Sequence, residues 1–78
     1  MEIGGNMKYF IGYKQSEDTY LFVNNIGSTI SSALSYSNAI DFITKENALG
    51  VCKFLNESDQ NHEYVVLKYE YSITEVGE

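Results

Sequence analysis

In nearly every strand-like stretch of the 78-residue chain, apolar residues occupy both sets of alternating positions, and one stretch shows clear helical spacing. Lys8 to Lys14 and Thr19 to Asn24 are rich in aromatic and β-branched residues. The polar run Gln15-Ser16-Glu17-Asp18 joins them, which predicts a β-hairpin. Asn24-Asn25-Ile26-Gly27 carries turn chemistry, after which Ile30, Ser32, Leu34 and Tyr36 recur with period two and predict a third, weaker strand. A loop is the alternative there, because five serines between positions 28 and 37 offer competing local hydrogen bonds.

Thr44 is a good N-cap, Glu46 falls in the first turn where the helix dipole favours an anion, and Ile43 is placed to staple onto Ala48. A helix is expected from Lys45, with Ala48, Val51, Cys52 and Leu55 on one apolar stripe. The polar run Glu57 to His62 ends it, and Glu63 to Val76 then reads as one long strand. The expected fold is α+β: a three- to four-stranded, mainly antiparallel sheet with one helix on one face, in the order β-β-(β)-α-β.

Pairing arithmetic predicts a surplus face. If Lys14 lies opposite Thr19, Tyr13 faces Tyr20 and Ile11 faces Phe22, and with Tyr9 they form the side the helix covers. The opposite side then collects Phe10, Leu21 and Val23, joined by Tyr64 and Val66 if Val65, Leu67, Tyr69, Tyr71 and Ile73 point inward. A contiguous apolar face of that kind calls for a homodimer partner or a target protein to cover it. Two alternatives stand beside this: the chain itself folds across the patch, or a one-residue slip in register exchanges the two faces.

Length limits the chain to one domain, a size that leaves a stability margin of only about 3–5 kcal/mol. Eleven acids against five lysines, with no arginine, give a net charge of −6 and argue against direct binding of a nucleic-acid backbone. The acids cluster in the second half, where Glu57, Asp59 and Glu63 are candidates for steering a basic partner. No apolar run approaches the ~20 residues needed to span a bilayer, no secretory leader is recognisable, and a lone cysteine fits a reducing compartment, so a cytosol is the expected location. The codons for Ile3-Gly4-Gly5-Asn6-Met7 can read as a purine-rich ribosome-binding sequence before Met7. Met7 is therefore the expected native start, with residues 1–6 a disordered extension and 7–78 the domain.

Catalytic chemistry finds little support. Cys52 lies on the apolar stripe of the helix, where burial suppresses the thiolate, and His62 sits in the most polar loop, so the two are not expected to act as a nucleophile and base. Asp59 and Glu63 flank His62, but such flanking is common in acidic loops and no metal is expected. Neither GxGxxG nor GxxxxGK[ST] occurs, and Asn56-Glu57-Ser58 matches a glycosylation acceptor only formally. No cofactor and no enzymatic activity are expected.

The KYFIGY opening, the FITKENAL start of the helix at Phe42 to Leu49 and the YVVLKYEY strand at Tyr64 to Tyr71 resemble short accessory proteins of phages that infect Gram-positive bacteria. That resemblance implies a phage or prophage product, a class with many inhibitors of host defence, and it carries over no site residue. The leading expectation is a non-catalytic protein that binds and blocks a host protein, an immune effector, through Phe10, Leu21, Val23, Tyr64 and Val66. One alternative is an oligomeric sponge that sequesters a nucleotide signal in a tyrosine-lined pocket, relying on Lys8, Lys14 or Lys68 for the phosphate. A structural or assembly role is the other.

Overall fold

The computed structural model describes residues 8–27, 29–70 and 72–76. The expected N-terminal extension, the start at Met7 and the inward placement of Tyr71 lie outside them. Among the described residues the strands are β1 (Lys8–Ser16), β2 (Thr19–Ile26), β3 (Ile30–Ala33), β4 (Val65–Tyr69) and β5 (Ile73–Val76). They form one five-stranded sheet in the order β3-β2-β1-β4-β5, antiparallel throughout, with the helix α1 (Lys45–Ser58) on one face.

The fold class is α+β as the pattern predicts, but the strand count is five instead of three to four. The stretch expected to be one long strand breaks into a second hairpin at Glu70–Ser72, closed by the Glu70 amide donating to the Ser72 carbonyl at 3.4 Å. The weak third strand is present at the sheet edge but stops at Ala33. Leu34 is exposed, and Tyr36 opens a single 3₁₀ turn that the Ser35 side chain caps by accepting from the Ser37 amide.

The helix begins where its cap dictates. Thr44 Oγ1 accepts from the Asn47 amide at 3.2 Å, and Ala48, Cys52 and Leu55 are buried against the sheet, with Val51 half-buried beside them. The expected staple does not form: Ile43 is 89% exposed and Ala48 packs on the sheet instead.

Register decides the faces. A two-residue turn at Glu17-Asp18 closes the hairpin, and Gln15 is taken up as a bulge, so Ser16 pairs with Thr19, Lys14 with Tyr20, Tyr13 with Leu21 and Gly12 with Phe22. This is the slip that exchanges the faces of β2. Val23, rather than Phe22, joins Ile11 beneath the helix. On β4, Val66 also turns to the helix while Leu67 joins Phe10 and Phe22 on the open face. The expected surplus face is therefore corrected: Val23, Tyr64 and Val66 belong to the helix-side core, Leu21 is half-buried opposite Tyr13, and Phe10 is buried on the other side of the sheet.

The open face is still apolar, and the chain covers part of it. Beyond its pairing at Gly12 and Phe22, the β1–β2 ladder forks, and residues 39–42 fill the fork. The Ile40 amide donates to the Val23 carbonyl at 3.1 Å, while Phe42 and Tyr9 exchange two backbone hydrogen bonds at 2.8 and 3.1 Å. Ile40 and Phe42 reach the helix-side core, whereas Ala39 packs on the open-face cluster of Phe10, Phe22 and Leu67. Just before the fork, the ring of Tyr36 lies against Phe10 and Phe22, with centroids 5.8 and 6.1 Å away. Ile40 and Phe42 are half-buried and Tyr36 partly covered, and since full burial of such a side chain contributes about 1.5–3 kcal/mol, their combined share holds the segment on the sheet despite its serines.

Candidate functional site

Covering the open face leaves a groove. β1 presents Lys8 and Phe10 on this side, β4 presents Tyr69 opposite Lys8, and the segment after β3 brings in Tyr36, Ser37, Ala39 and Asp41. Together they line a depression of about 410 Å³. Phe10, 2% exposed, forms the floor, while Tyr36 and Tyr69 remain 40% and 37% exposed. The two tyrosine rings stack at 5.1 Å with 25° between their planes. The Tyr36 hydroxyl is held above the usual phenol range, first by its hydrogen bond to the Tyr69 oxygen and then by the charge Tyr69 carries once ionised. At the rim, Lys8 Nζ lies 3.4 Å from Asp41 Oδ2, both side chains more than half exposed. Aromatic surface held rigidly with one charge of each sign beside it can bind; it contains no nucleophile paired with a base.

Further along the open face, the Tyr20 hydroxyl donates to Glu75, crossing β1 and β4, and this bond pushes the Tyr20 pKa up to about 12. Lys14 Nζ lies 6.0 Å from the Tyr20 ring centroid. The three lysines expected to serve a nucleotide pocket do not converge. Lys8 and Lys14 are six residues apart on β1, about 20 Å by strand rise. Lys68, paired with Tyr9, projects to the opposite face and sits 4.0 Å from Glu70.

At the helix C-terminus a polar cluster is structural. Asn56 exchanges two hydrogen bonds with the Tyr64 backbone at 2.7 and 2.9 Å, and the Tyr64 hydroxyl donates to Asp59 Oδ2 at 2.7 Å. Tyr64 and the Asn61 amide hold the Asp59 carboxyl below the usual carboxylate range; burial, then Asp59, raises the Tyr64 hydroxyl. Of the three acids expected to steer a partner, Asp59 is thus committed to the fold, while Glu57 and Glu63 are exposed. His62 is exposed and stacks on Tyr13 at 3.9 Å. Cys52 is buried in the helix–sheet core, with Asn56 Nδ2 3.7 Å from its sulfur. Among the described residues, no three His, Cys, Asp or Glu side chains gather in a metal-binding group, and no helix is long and apolar enough to cross a membrane.

Of the five residues expected to form an interface, Phe10 alone lines the groove, and Leu21, Val23, Tyr64 and Val66 do not share its surface. Tyr36, Tyr69, Lys8 and Asp41 were missed as a group. The one local signal for them is Ser35, whose cap ends the alternation at Tyr36 and frees that ring to cross the sheet.

The chain matches no protein-family model, no curated protein and no solved structure.

Proposed function

We propose that this protein is a non-catalytic binding domain that docks on another protein through the aromatic groove of its open sheet face. Following the resemblance to phage accessory proteins, the partner is a host protein of the bacterial cytosol, an immune effector, and binding inhibits it stoichiometrically. The observation that carries this reading is the exposed, mutually stacked pair Tyr36 and Tyr69 at the edge of a groove floored by Phe10. Exposed tyrosines of fixed orientation lose little conformational entropy on binding, and such residues dominate interface energetics. The separation of Lys8, Lys14 and Lys68 gives a sponge for phosphorylated ligands less to work with than a groove for a side chain.

The test is affinity capture from lysate of a Gram-positive host with wild type and Tyr69→Ala in parallel, followed by reconstitution of the complex from purified components. Retention of one protein at equal stoichiometry by wild type, lost with Tyr69→Ala, is the expected result. Equal capture by both would remove the groove from the account.

A further inference from the structure

We infer that the occupant of this groove is an arginine side chain of the partner, and that Lys8 acts as a built-in competitor for it. This rests on the reading of the groove as a protein-docking site and adds its chemistry. Three aromatic rings, Phe10, Tyr36 and Tyr69, line the groove with a single carboxylate, Asp41, at its exposed rim, in a chain whose net charge is −6. Aromatic faces attract cations, and a carboxylate beside them supplies the counter-charge. A guanidinium suits both at once, because its plane lies flat on a tyrosine ring while its forked N–H donors pair with a carboxylate in two parallel bonds. The chain has no arginine of its own to fill the place. Among the described residues a cation also meets a ring where Lys14 Nζ lies 6.0 Å from the Tyr20 centroid.

Lys8 holds Asp41 by a single contact of 3.4 Å at the exposed rim. A solvated lysine pair of this kind is weak and readily exchanged, so an incoming guanidinium displaces the ammonium without leaving a buried charge behind. The competition has a sign that a purely apolar groove lacks: removing Lys8 strengthens binding, and removing the Asp41 charge weakens it.

The experiment is a titration followed by NMR shifts of the Tyr36 and Tyr69 ring protons. It uses three capped peptides, acetyl-Gly-Arg-Gly-amide, its citrulline counterpart of equal shape and no charge, and its leucine counterpart. Wild type, Lys8→Met and Asp41→Asn are compared after circular dichroism has shown the same fold in each. The arginine peptide is expected to bind about fivefold more tightly than the citrulline peptide, a preference that fades as salt is added. Lys8→Met is expected to tighten arginine binding, and Asp41→Asn to abolish the preference. Equal binding of arginine and citrulline, or weaker binding by Lys8→Met, would overturn the inference. If the leucine peptide binds best, the cation preference is wrong while the docking groove stands. Silence from all three peptides in wild type would sink the inference and count against the groove too.

Discussion

Val66→Glu separates the observed register from the one the hydrophobic pattern allows. Val66 is 2% exposed and packs in the helix-side core with Ile11, Val23, Ala48, Cys52 and Leu55. Replacing it removes a buried aliphatic group worth about 1.5–3 kcal/mol. It also places a carboxyl among apolar side chains. Such a carboxyl becomes neutral rather than stay charged, and shifting its pKa well above 7 costs about 3–4 kcal/mol at neutral pH. The sum, about 4.5–7 kcal/mol, matches or exceeds the margin of about 3–5 kcal/mol typical of a domain this small. The variant is therefore unfolded at pH 7, whereas Val66→Ala loses about 2 kcal/mol and remains folded. A carboxyl whose folded pKa is raised gains stability as pH falls through that value, so Val66→Glu is expected to recover structure towards about pH 5. Far-UV circular dichroism with thermal melts at both pH values reads all of this. A Val66→Glu melting midpoint near the wild-type value, independent of pH, would show that Val66 faces outward and that the register is wrong.

Gly12→Ala should also be costly, because an added Cβ would lie 2.3 Å from the Leu21 carbonyl oxygen and 2.9 Å from Leu67 Cδ1. The backbone oxygen cannot yield as a side chain can, so a loss of about 1–3 kcal/mol, or roughly 5–20 °C in melting midpoint, is expected, and an unchanged melt would contradict the close approach of β1 and β2. Glu75→Gln should bring the Tyr20 pKa down from about 12 towards the ordinary tyrosine value of about 10, followed by phenolate absorbance in an alkaline titration. An unshifted titration would mean that the two side chains do not meet. The Asp59 carboxyl is held low by Tyr64, so its contribution to stability is complete above the unfolded carboxyl pKa and is lost as pH falls through the lower folded value. Tyr64→Phe should therefore reduce stability near neutral pH and flatten its decline in acid, as measured by urea midpoints from pH 7 downward; an acid limb identical to wild type would dismiss the Asp59 link.

The helix was legible because its signals are local and agree: the Thr44 cap, Glu46 in the first turn, and Ala48, Cys52 and Leu55 on one stripe. The first hairpin was legible as a hairpin but not in register. In β2 the consecutive residues Tyr20, Leu21, Phe22 and Val23 are all apolar, so either alternate set could face the helix, and the bulge at Gln15 leaves no trace in the hydrophobic pattern. The break between β4 and β5 was missed because no proline or glycine marks it, and Glu70 and Ser72, whose backbones close the turn, also suit an exposed strand. The expectation of an apolar second face was sound in kind and wrong in most of its membership: Phe10 lies there as expected, but with Phe22 and Leu67 instead of Leu21, Val23, Tyr64 and Val66, and the chain's own Tyr36 and Ala39 shelter it. The groove itself could not be read in advance, since Tyr36 and Tyr69 meet only through a crossing of the sheet that no spacing rule encodes.

The groove on the open sheet face is proposed to be the working surface of the protein. The most direct measurement is the affinity of the reconstituted complex for wild type against Tyr69→Ala, by calorimetric titration, with the melting midpoint of each protein recorded alongside. A loss of about tenfold or more in affinity, with the midpoint moved by only a few degrees, is the expected result for a rigid aromatic anchor. Unchanged affinity with a normal melt would contradict the account.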